Sequence, residues 1–367
     1  MSSEDGEAGQ VREALLRAVD SGSLPQVEDV LPEPVHVGGP LREELLTRAR
    51  RLARTGAEGV LRERTGLTGP AQRTREADGT GSFHERLTVG ELALYDGQLA
   101  VLTALERHFR RPASFGELRD RALAHPDREH VVWAEVMLEL EHRPADETWD
   151  AAVRLSTDPD PVARLFAADV LLSQVVEEIV RGDVLYSERA ALLLPWARRE
   201  PDAAVLEVLL NGLTWAGGPE PEKVGLAYAG HPEPGVRAWM PMLLDTDGHS
   251  LSPEGLAAVL TLAGDPDPEV RGRVCAWLEG YQGREPAIAD ALVVLSRDER
   301  QRTRIDAVAA LAYRDDPRCV AAERHIGPLE PGLDAETLPL FAVMDHQRRM
   351  RERGDYPGGS IHPPAQE

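Results

Sequence analysis

The sequence predicts an all-α fold, an α-α superhelix of stacked helical hairpins preceded by a short helical N-terminal segment. The main observation is a sequence motif that recurs along the second half of the chain. It reads DPDPVAR from Asp158 and DPDPEVR from Asp265. Its copies at His231, Asp265 and Asp298 are 34 and 33 residues apart, a period typical of stacked helical repeats. Leucine and alanine are abundant and aromatic residues make up only 5% of the chain, which favours helix-on-helix packing.

Composition limits the possible partners. The chain has 63 acidic and 41 basic residues, and its formal net charge is −22. A field of this sign repels phosphate backbones, so it disfavours nucleic-acid binding and favours a basic or neutral partner. The polar N-terminus and the lack of an apolar run near the ~20 residues of a membrane span predict a cytoplasmic protein without membrane attachment. We expect a monomer.

The N-terminal segment is predicted to form short helices. Residues 1–10 are acidic and polar and are predicted to be disordered, and residues 11–31 predict a helical hairpin that turns at Gly22. The apolar positions and the turn glycine of this stretch resemble an ankyrin repeat, on the residues Leu16, Ala18, Gly22, Leu24, Val27, Val30 and Leu31. The resemblance implies degenerate ankyrin-like helical hairpins over residues 11–65, with a second unit opening at Gly39-Pro40-Leu41.

A polar connection separates this segment from the repeats. Residues 66–97 predict a linker with a short β-hairpin formed by 83–89 and 91–95. Helices resume at Gln98, and Ser114 with Glu117 three residues later predicts a capping box at the start of a helix. The repeat region is predicted over residues 98–330. A capping helix over 331–353 and a disordered tail over 354–367 complete the chain.

Six copies of the repeat align when Val270 is set as place zero. The other copies have place zero at His130, Ala163, Val205, Val236 and Thr303. Place eight is leucine in every copy: Leu138, Leu171, Leu213, Leu244, Leu278 and Leu311. Places zero, four and eight share one helical face, so we expect them to form the contacts between hairpins. The 42 residues between Asp158 and Glu200 predict an insertion near 177–187.

The DPDP turns and the apolar helices that follow them resemble HEAT repeats of the short, phycobilisome-lyase-like type, over about residues 113–325. The resemblance implies that the second helix of each hairpin lines a concave face. It also implies that the arginine after place zero bonds an acidic residue in the turn of an adjacent repeat; an anion-binding ladder is the alternative. These residues are Arg164, Arg237, Arg271 and Arg304 with Asp158, Asp265 and Asp298.

The second helices of the early repeats are apolar on almost every side. Two interpretations remain open: a groove that accepts an apolar segment of a partner, or core that is covered by neighbouring repeats, the N-terminal segment or the last helix. The predicted groove residues are Val132, Trp133, Leu165, Phe166, Asp169, Trp239 and Met242.

The chain carries none of the common catalytic motifs: it has no phosphate-binding loop, no HExxH and no GxSxG. We therefore expect no catalytic residues, no metal and no cofactor. The predicted function is a non-enzymatic scaffold that binds another protein or peptide, one that is basic or has an apolar segment, on the concave face. The alternatives are a regulatory or immunity-type protein that masks a basic partner, and a HEAT-like enzyme such as a bilin lyase.

Overall fold

A computed structural model describes residues 4–33, 37–143, 145–182, 188–244, 251–331, 333 and 339–353. Helices predominate in these ranges, and the strands belong to a three-stranded sheet, so the all-α class holds for most of the chain. The chain divides into two compact units, Met1–Glu177 and Glu178–Glu367, and the division falls inside one helix.

The first unit begins with a helical hairpin. Helix α1 (Glu4–Ser21) and helix α2 (Leu24–Glu28) are joined at Gly22, whose φ of 72° is readily adopted only by glycine. Helix α1 starts inside the segment predicted to be disordered. Helix α3 (Gly39–Thr65) is a long helix interrupted at Gly56, where φ is 71°. This kinked helix replaces the second ankyrin-like hairpin that the resemblance implied.

A three-stranded antiparallel sheet follows, with strands β1 (Gln72–Ala77), β2 (Phe83–Val89) and β3 (Leu92–Tyr95) in that order. The hairpin of β2 and β3 agrees with the prediction. Strand β1 lies in the predicted linker, and its pairing with β2 runs from Gln72 opposite Thr88 to Ala77 opposite Phe83. The sequence of β1 did not indicate a strand because its residues are almost all exposed and show no apolar alternation.

The rest of the first unit consists of helices. They are α4 (Gln98–His108), α5 (Phe115–Ala124), α6 (Val131–Glu141), α7 (Ala145–Leu155) and α8 (Pro161–Gly182). The predicted capping box is present at α5, where the Ser114 hydroxyl accepts from the Glu117 N–H and the Glu117 carboxylate accepts from the Ser114 N–H. Helix α8 runs into the predicted insertion, and residues 183–187 of that insertion lie outside the described residues.

The register predicted for the first repeat is wrong by two residues. Leu138, its place-eight residue, has 39% of its surface exposed, whereas Val132, Val136 and Leu140 are fully buried. The reason is that His130 is the N-cap of α6 and is not part of its first turn, because its Nδ1 accepts a hydrogen bond from the Val132 N–H. The face of α6 that packs inward therefore starts at Val132.

The second unit contains α9 (Glu188–Ala191), α10 (Leu194–Ala197), α11 (Ala203–Leu213), α12 (Glu220–Tyr228), α13 (Pro234–Ala238), α14 (Met240–Leu244), α15 (Pro253–Leu262), α16 (Pro268–Gly280), α17 (Pro286–Leu295), α18 (Gln301–Tyr313), α19 (Cys319–Ala322) and α20 (Pro339–Arg353). Helix α13 packs on α11 and α16, and α18 packs on α16 and α20. The second helices of successive hairpins are thus neighbours. Their place-eight leucines are buried: Leu213, Leu244, Leu278 and Leu311.

Helix α20 occupies much of the predicted capping segment and packs against α18. Arg349 and Arg353 donate hydrogen bonds to Asp315, which follows α18 and has a φ of 54°. The predicted tail, residues 354–367, lies outside the described residues. Within the described part of the chain, no helix combines the length and the apolar character that crossing a membrane requires.

Candidate functional site

A groove between α6 and α8 is the best candidate for a binding site in the first unit. Its volume is about 540 Å³. Helix α6 and the turn before it supply one wall, and one face of α8 supplies the other. The lining residues are Arg128, Glu129, Trp133, Ala134, Met137, Glu141, Asp169, Leu172, Ser173 and Val176. We call this site the α6/α8 groove.

The floor of the α6/α8 groove is a hydrogen-bonded triad. The Trp133 indole N–H donates to Asp169 Oδ2 over 3.0 Å. The Arg128 guanidinium donates to both carboxylate oxygens of Asp169, with distances of 2.7 and 2.5 Å. Because Asp169 is only 7% exposed, this paired geometry fixes the position of the tryptophan ring and of the arginine head group.

Burial determines the protonation behaviour of Asp169. Desolvation raises the pKa of its carboxyl group above the ordinary value, although the hydrogen bonds and charge of Arg128 and the Trp133 indole oppose that effect. The carboxylate therefore depends on Arg128, whose side chain is 48% exposed and reaches solvent at the mouth of the groove.

The walls of the groove are apolar and partly accessible. Ala134 and Met137 of α6 face Leu172 and Val176 of α8, and Val176 has 40% of its surface exposed. Acidic side chains lie at the rim, on Glu129 and Glu141. A surface of this kind can bury apolar side chains while attracting positive charge around them.

Five of the seven predicted groove residues lie in the first unit, and they do not all line one groove. Trp133 and Asp169 line the α6/α8 groove, whereas Val132 and Phe166 are fully buried core residues and Leu165 is half-buried. The prediction that Val132 and Phe166 contact a partner is therefore wrong, since the rings of Trp133 and Phe166 pack edge to face at 5.8 Å inside the unit. Trp239 and Met242 are half-buried residues of the other unit.

Trp239 has a neighbour that explains a change along the repeats. Place three is aromatic in Trp239 and becomes Arg273 in the next copy, and the Arg273 guanidinium lies over the Trp239 ring at 4.9 Å from its centroid. The two residues form a cation–π pair, so the arginine covers one face of a tryptophan that was predicted to line the groove.

The arginines after place zero link successive turns of the second unit. Arg237 donates to both carboxylate oxygens of Asp265, and Arg271 donates to Asp298 over 2.6 Å. Each arginine also donates from Nη1 to backbone carbonyls five and six residues before it, at the start of its own turn. This geometry corresponds to the inter-repeat pairing that the HEAT resemblance implied. Both guanidinium groups are bonded to carboxylates and carbonyls of the chain itself, which does not favour the alternative of an anion-binding ladder.

The last member of this series differs from Arg237 and Arg271. Arg304 makes the same bonds to the carbonyls of its own turn, Asp298 and Glu299, and its Nη2 donates to the Ile326 carbonyl over 3.2 Å. Arg164 donates to the backbone carbonyl of Asp158 over 2.8 Å. Asp158 uses its carboxylate to accept from the Asp160 N–H in the same turn.

One group of side chains in the described residues has the composition of a metal site. Asp96, His125 and His130 offer ligand atoms within 4.8 Å of one another. The two imidazole rings, however, stack at 4.2 Å with 13° between their planes, so their in-plane lone pairs do not converge on one point. His130 also uses both nitrogens, accepting from the Val132 N–H and contacting Asp96 Oδ1 at 3.1 Å. The geometry is that of a hydrogen-bonded cluster.

Sequence reasoning missed the apolar walls of the groove. Met137 lies four residues after Trp133, and Val176 lies seven residues after Asp169, so each pair shares a helical face. That spacing was the available signal. It was obscured because α6 is apolar on its buried face as well.

No family model matches the chain. The search of curated proteins also returns no match. Among solved structures, the chain is similar to the X-ray structure of YibA from Escherichia coli, with 16% sequence identity and a TM-score of 0.47. The aligned region covers 65% of this chain and 93% of the YibA chain.

Proposed function

We propose that the chain is a non-enzymatic HEAT-like scaffold that binds another protein in the α6/α8 groove. The observation that carries the proposal is the groove itself. Its apolar walls are partly exposed, and its floor is held rigid by the Arg128–Asp169–Trp133 triad. A pre-organised floor reduces the entropy that binding must overcome.

The occupant is a helical segment with one apolar face and basic residues beside it. Two helix walls form a trough that suits the apolar face of a third helix. The acidic rim at Glu129 and Glu141 and the net charge of −22 favour lysine or arginine next to the anchoring residues.

The packing of the second unit supports the HEAT-like part of the proposal. Arginine–aspartate pairs at Arg237 and Arg271 recur at the repeat spacing and join consecutive turns. In a superhelix built in this way, the second helices of the hairpins line one side. We propose that α6 and α8, which are second helices, bind the partner on that side.

The test uses two synthetic helical peptides with the same leucine face, one with lysine and one with glutamate on the polar face. Binding to the full chain is measured by fluorescence anisotropy at low and high salt. Val176→Arg places a charge in the groove, and Val153→Arg is its matched control, because these two valines are 40% and 42% exposed and only Val176 lines the groove.

We expect the wild-type chain to bind the leucine–lysine peptide and Val176→Arg to weaken that binding at least about tenfold, equivalent to about 1.4 kcal/mol. Val153→Arg should bind as the wild type does. Equal losses in both variants would contradict the groove proposal. Complete loss of binding at high salt would instead favour the alternative of a protein that masks a basic partner through charge alone.

A further inference from the structure

We infer that the cluster formed by His84, Asp96, His125 and His130 is an acid-sensitive clasp. It ties the three-stranded sheet to the start of α6 while His84 and His125 are neutral, and it opens when those two residues are protonated. The opening itself is a property of the first unit. Its consequence for binding rests on the proposed function, since the same turn carries two residues of the α6/α8 groove.

The clasp joins elements that are distant in sequence. Asp96 follows β3, and its Oδ1 accepts from the Glu85 N–H over 2.8 Å and contacts His130 Nε2 at 3.1 Å. His125, at the end of α5, stacks on the His130 ring. His84, on β2, is 4% exposed and stacks against Tyr95. Within the described residues, its Nδ1 has no hydrogen-bond partner.

The turn that the clasp holds leads directly into the groove. The Phe83 N–H donates to the Glu129 carbonyl over 2.9 Å, which connects β2 to the residue before His130. His130 then caps α6 through its Nδ1. Arg128 and Glu129, which line the groove, lie in the chain between His125 and His130 of the clasp.

Several charged groups face the two histidines that have no hydrogen bond to Asp96. His125 faces Asp96, Glu85 and Arg73, lies against His130, and shares a small cavity with Glu58. His84 faces Asp96, Asp78, Glu76 and the more distant His130. Asp96 is the carboxylate that faces both rings, and its Oδ1 already accepts from the Glu85 N–H and contacts His130 Nε2.

Burial of His84 and His125 determines that a fall in pH destabilises the clasp. Desolvation lowers the pKa of His125, and the neighbouring His130 lowers it further although Asp96 and Glu85 oppose the shift. Desolvation likewise lowers the pKa of His84 against the carboxylates around it. The folded pKa of each is below the unfolded value of about 6.5, so the stability they contribute is present above that pH and is lost as the pH falls.

Hydrogen exchange with mass spectrometry on the full chain tests the clasp. Protection of residues 83–95 and 125–136, corrected for intrinsic exchange, is compared at pH about 7.5 and about 5.5, on either side of the ordinary histidine pKa. Helix α11 serves as the internal reference. The variants are His125→Gln and His84→Phe, the latter chosen because phenylalanine keeps a ring against Tyr95. His325→Gln, at an exposed histidine of the other unit, is the control.

In the wild type we expect exchange of the two segments to increase about threefold or more on acidification, with little change in α11. His125→Gln and His84→Phe should each reduce that increase to less than half, and His325→Gln should not. An unchanged acid response in both clasp variants would overturn the inference, as would equal acid responses of the two segments and α11. Because the readout needs no partner, it is independent of whether peptides bind the groove.

Discussion

Arg237 and Asp265 are joined by two hydrogen bonds of 2.8 Å, from Nε and Nη2 to the two carboxylate oxygens. The same guanidinium reaches back through Nη1 to the carbonyls of His231 and Pro232. One arginine thus joins the turn before its own helix to the turn of the next repeat. The two side chains are 11% and 6% exposed, so the pair is protected from water.

Replacing Arg237 should lower the free energy of unfolding. Arg237→Met keeps the aliphatic stem but leaves Asp265 without its cation, and we expect the free energy of unfolding to fall by about 2–4 kcal/mol. Burial alone would raise the pKa of Asp265, but the Arg237 hydrogen bonds and further favourable contacts lower it overall. The loss should therefore be full above the ordinary aspartate pKa of about 3.9 and shrink as the pH falls below it.

A surface pair provides the control for Arg237. Arg300 contacts Glu269 at 2.5 Å, but the two side chains are 42% and 59% exposed. Arg300→Gln should cost no more than about 1 kcal/mol in urea denaturation. A loss for Arg237→Met as small as that for Arg300→Gln would show that the buried pair does not stabilise the repeat.

Gly22 and Gly56 test backbone strain with and without a steric clash. Their φ values are 72° and 71°, and Gly56 combines its φ with a ψ of 160°, so an alanine at either position should cost on the order of 1–3 kcal/mol in backbone strain. At Gly22 a Cβ would also lie 2.3 Å from the Tyr95 carbonyl oxygen, whereas at Gly56 it would meet no atom within 4 Å. Gly22→Ala should therefore be clearly more destabilising than Gly56→Ala. Equal midpoints in thermal unfolding would contradict this packing of the N-terminal hairpin on the sheet.

Glu135 should make the first unit less stable as the pH rises. Its carboxyl group is 3% exposed, and desolvation raises its pKa to about 7 despite the Arg107 guanidinium 2.5 Å away. Because the folded pKa lies above the unfolded value, the stabilisation is full below pH about 4.5 and is lost towards pH 7, by up to about 3 kcal/mol. Glu135→Gln should remove this dependence. Denaturation of both proteins across that range measures it, and a pH-independent difference between them would refute the assignment.

Trp133→Phe separates the hydrogen bond of the groove floor from its packing. The phenyl ring can still meet Phe166, but Asp169 loses the indole donor at 3.0 Å. We expect a loss of about 1–2 kcal/mol in unfolding free energy. Trp215→Phe, at a tryptophan that is 37% exposed, should stay within about 0.5 kcal/mol. A loss at Trp133 no larger than the one at Trp215 would mean that the triad does not stabilise the groove.

Local chemistry made several elements predictable from the sequence. The Ser114–Glu117 capping box forms because both partners are three residues apart in one turn. The turns at Asp202 and Asp267 cap their helices through the aspartate side chain, as their residue types indicate. The leucine at place eight is buried in the last five copies, since a helix of regular period returns that position to the same face.

Other features depended on partners far along the chain. Strand β1 exists because its backbone pairs with β2, and no side-chain pattern of its own signals that pairing. The register predicted for the first repeat is wrong by two residues because Asp96, 34 residues earlier in the chain, holds His130 outside α6.

The sequence by itself determined the helical repeats, their caps and the arginine–aspartate spacing, because each is encoded within one turn or one repeat period. Only the tertiary structure decided which apolar face of α6 is core and which is groove. Val136 and Met137 are adjacent and both apolar, yet Val136 is fully buried and Met137 lines the groove. The difference arises from the neighbouring helices that cover one face and leave the other partly open, and a single helix carries no information about its neighbours.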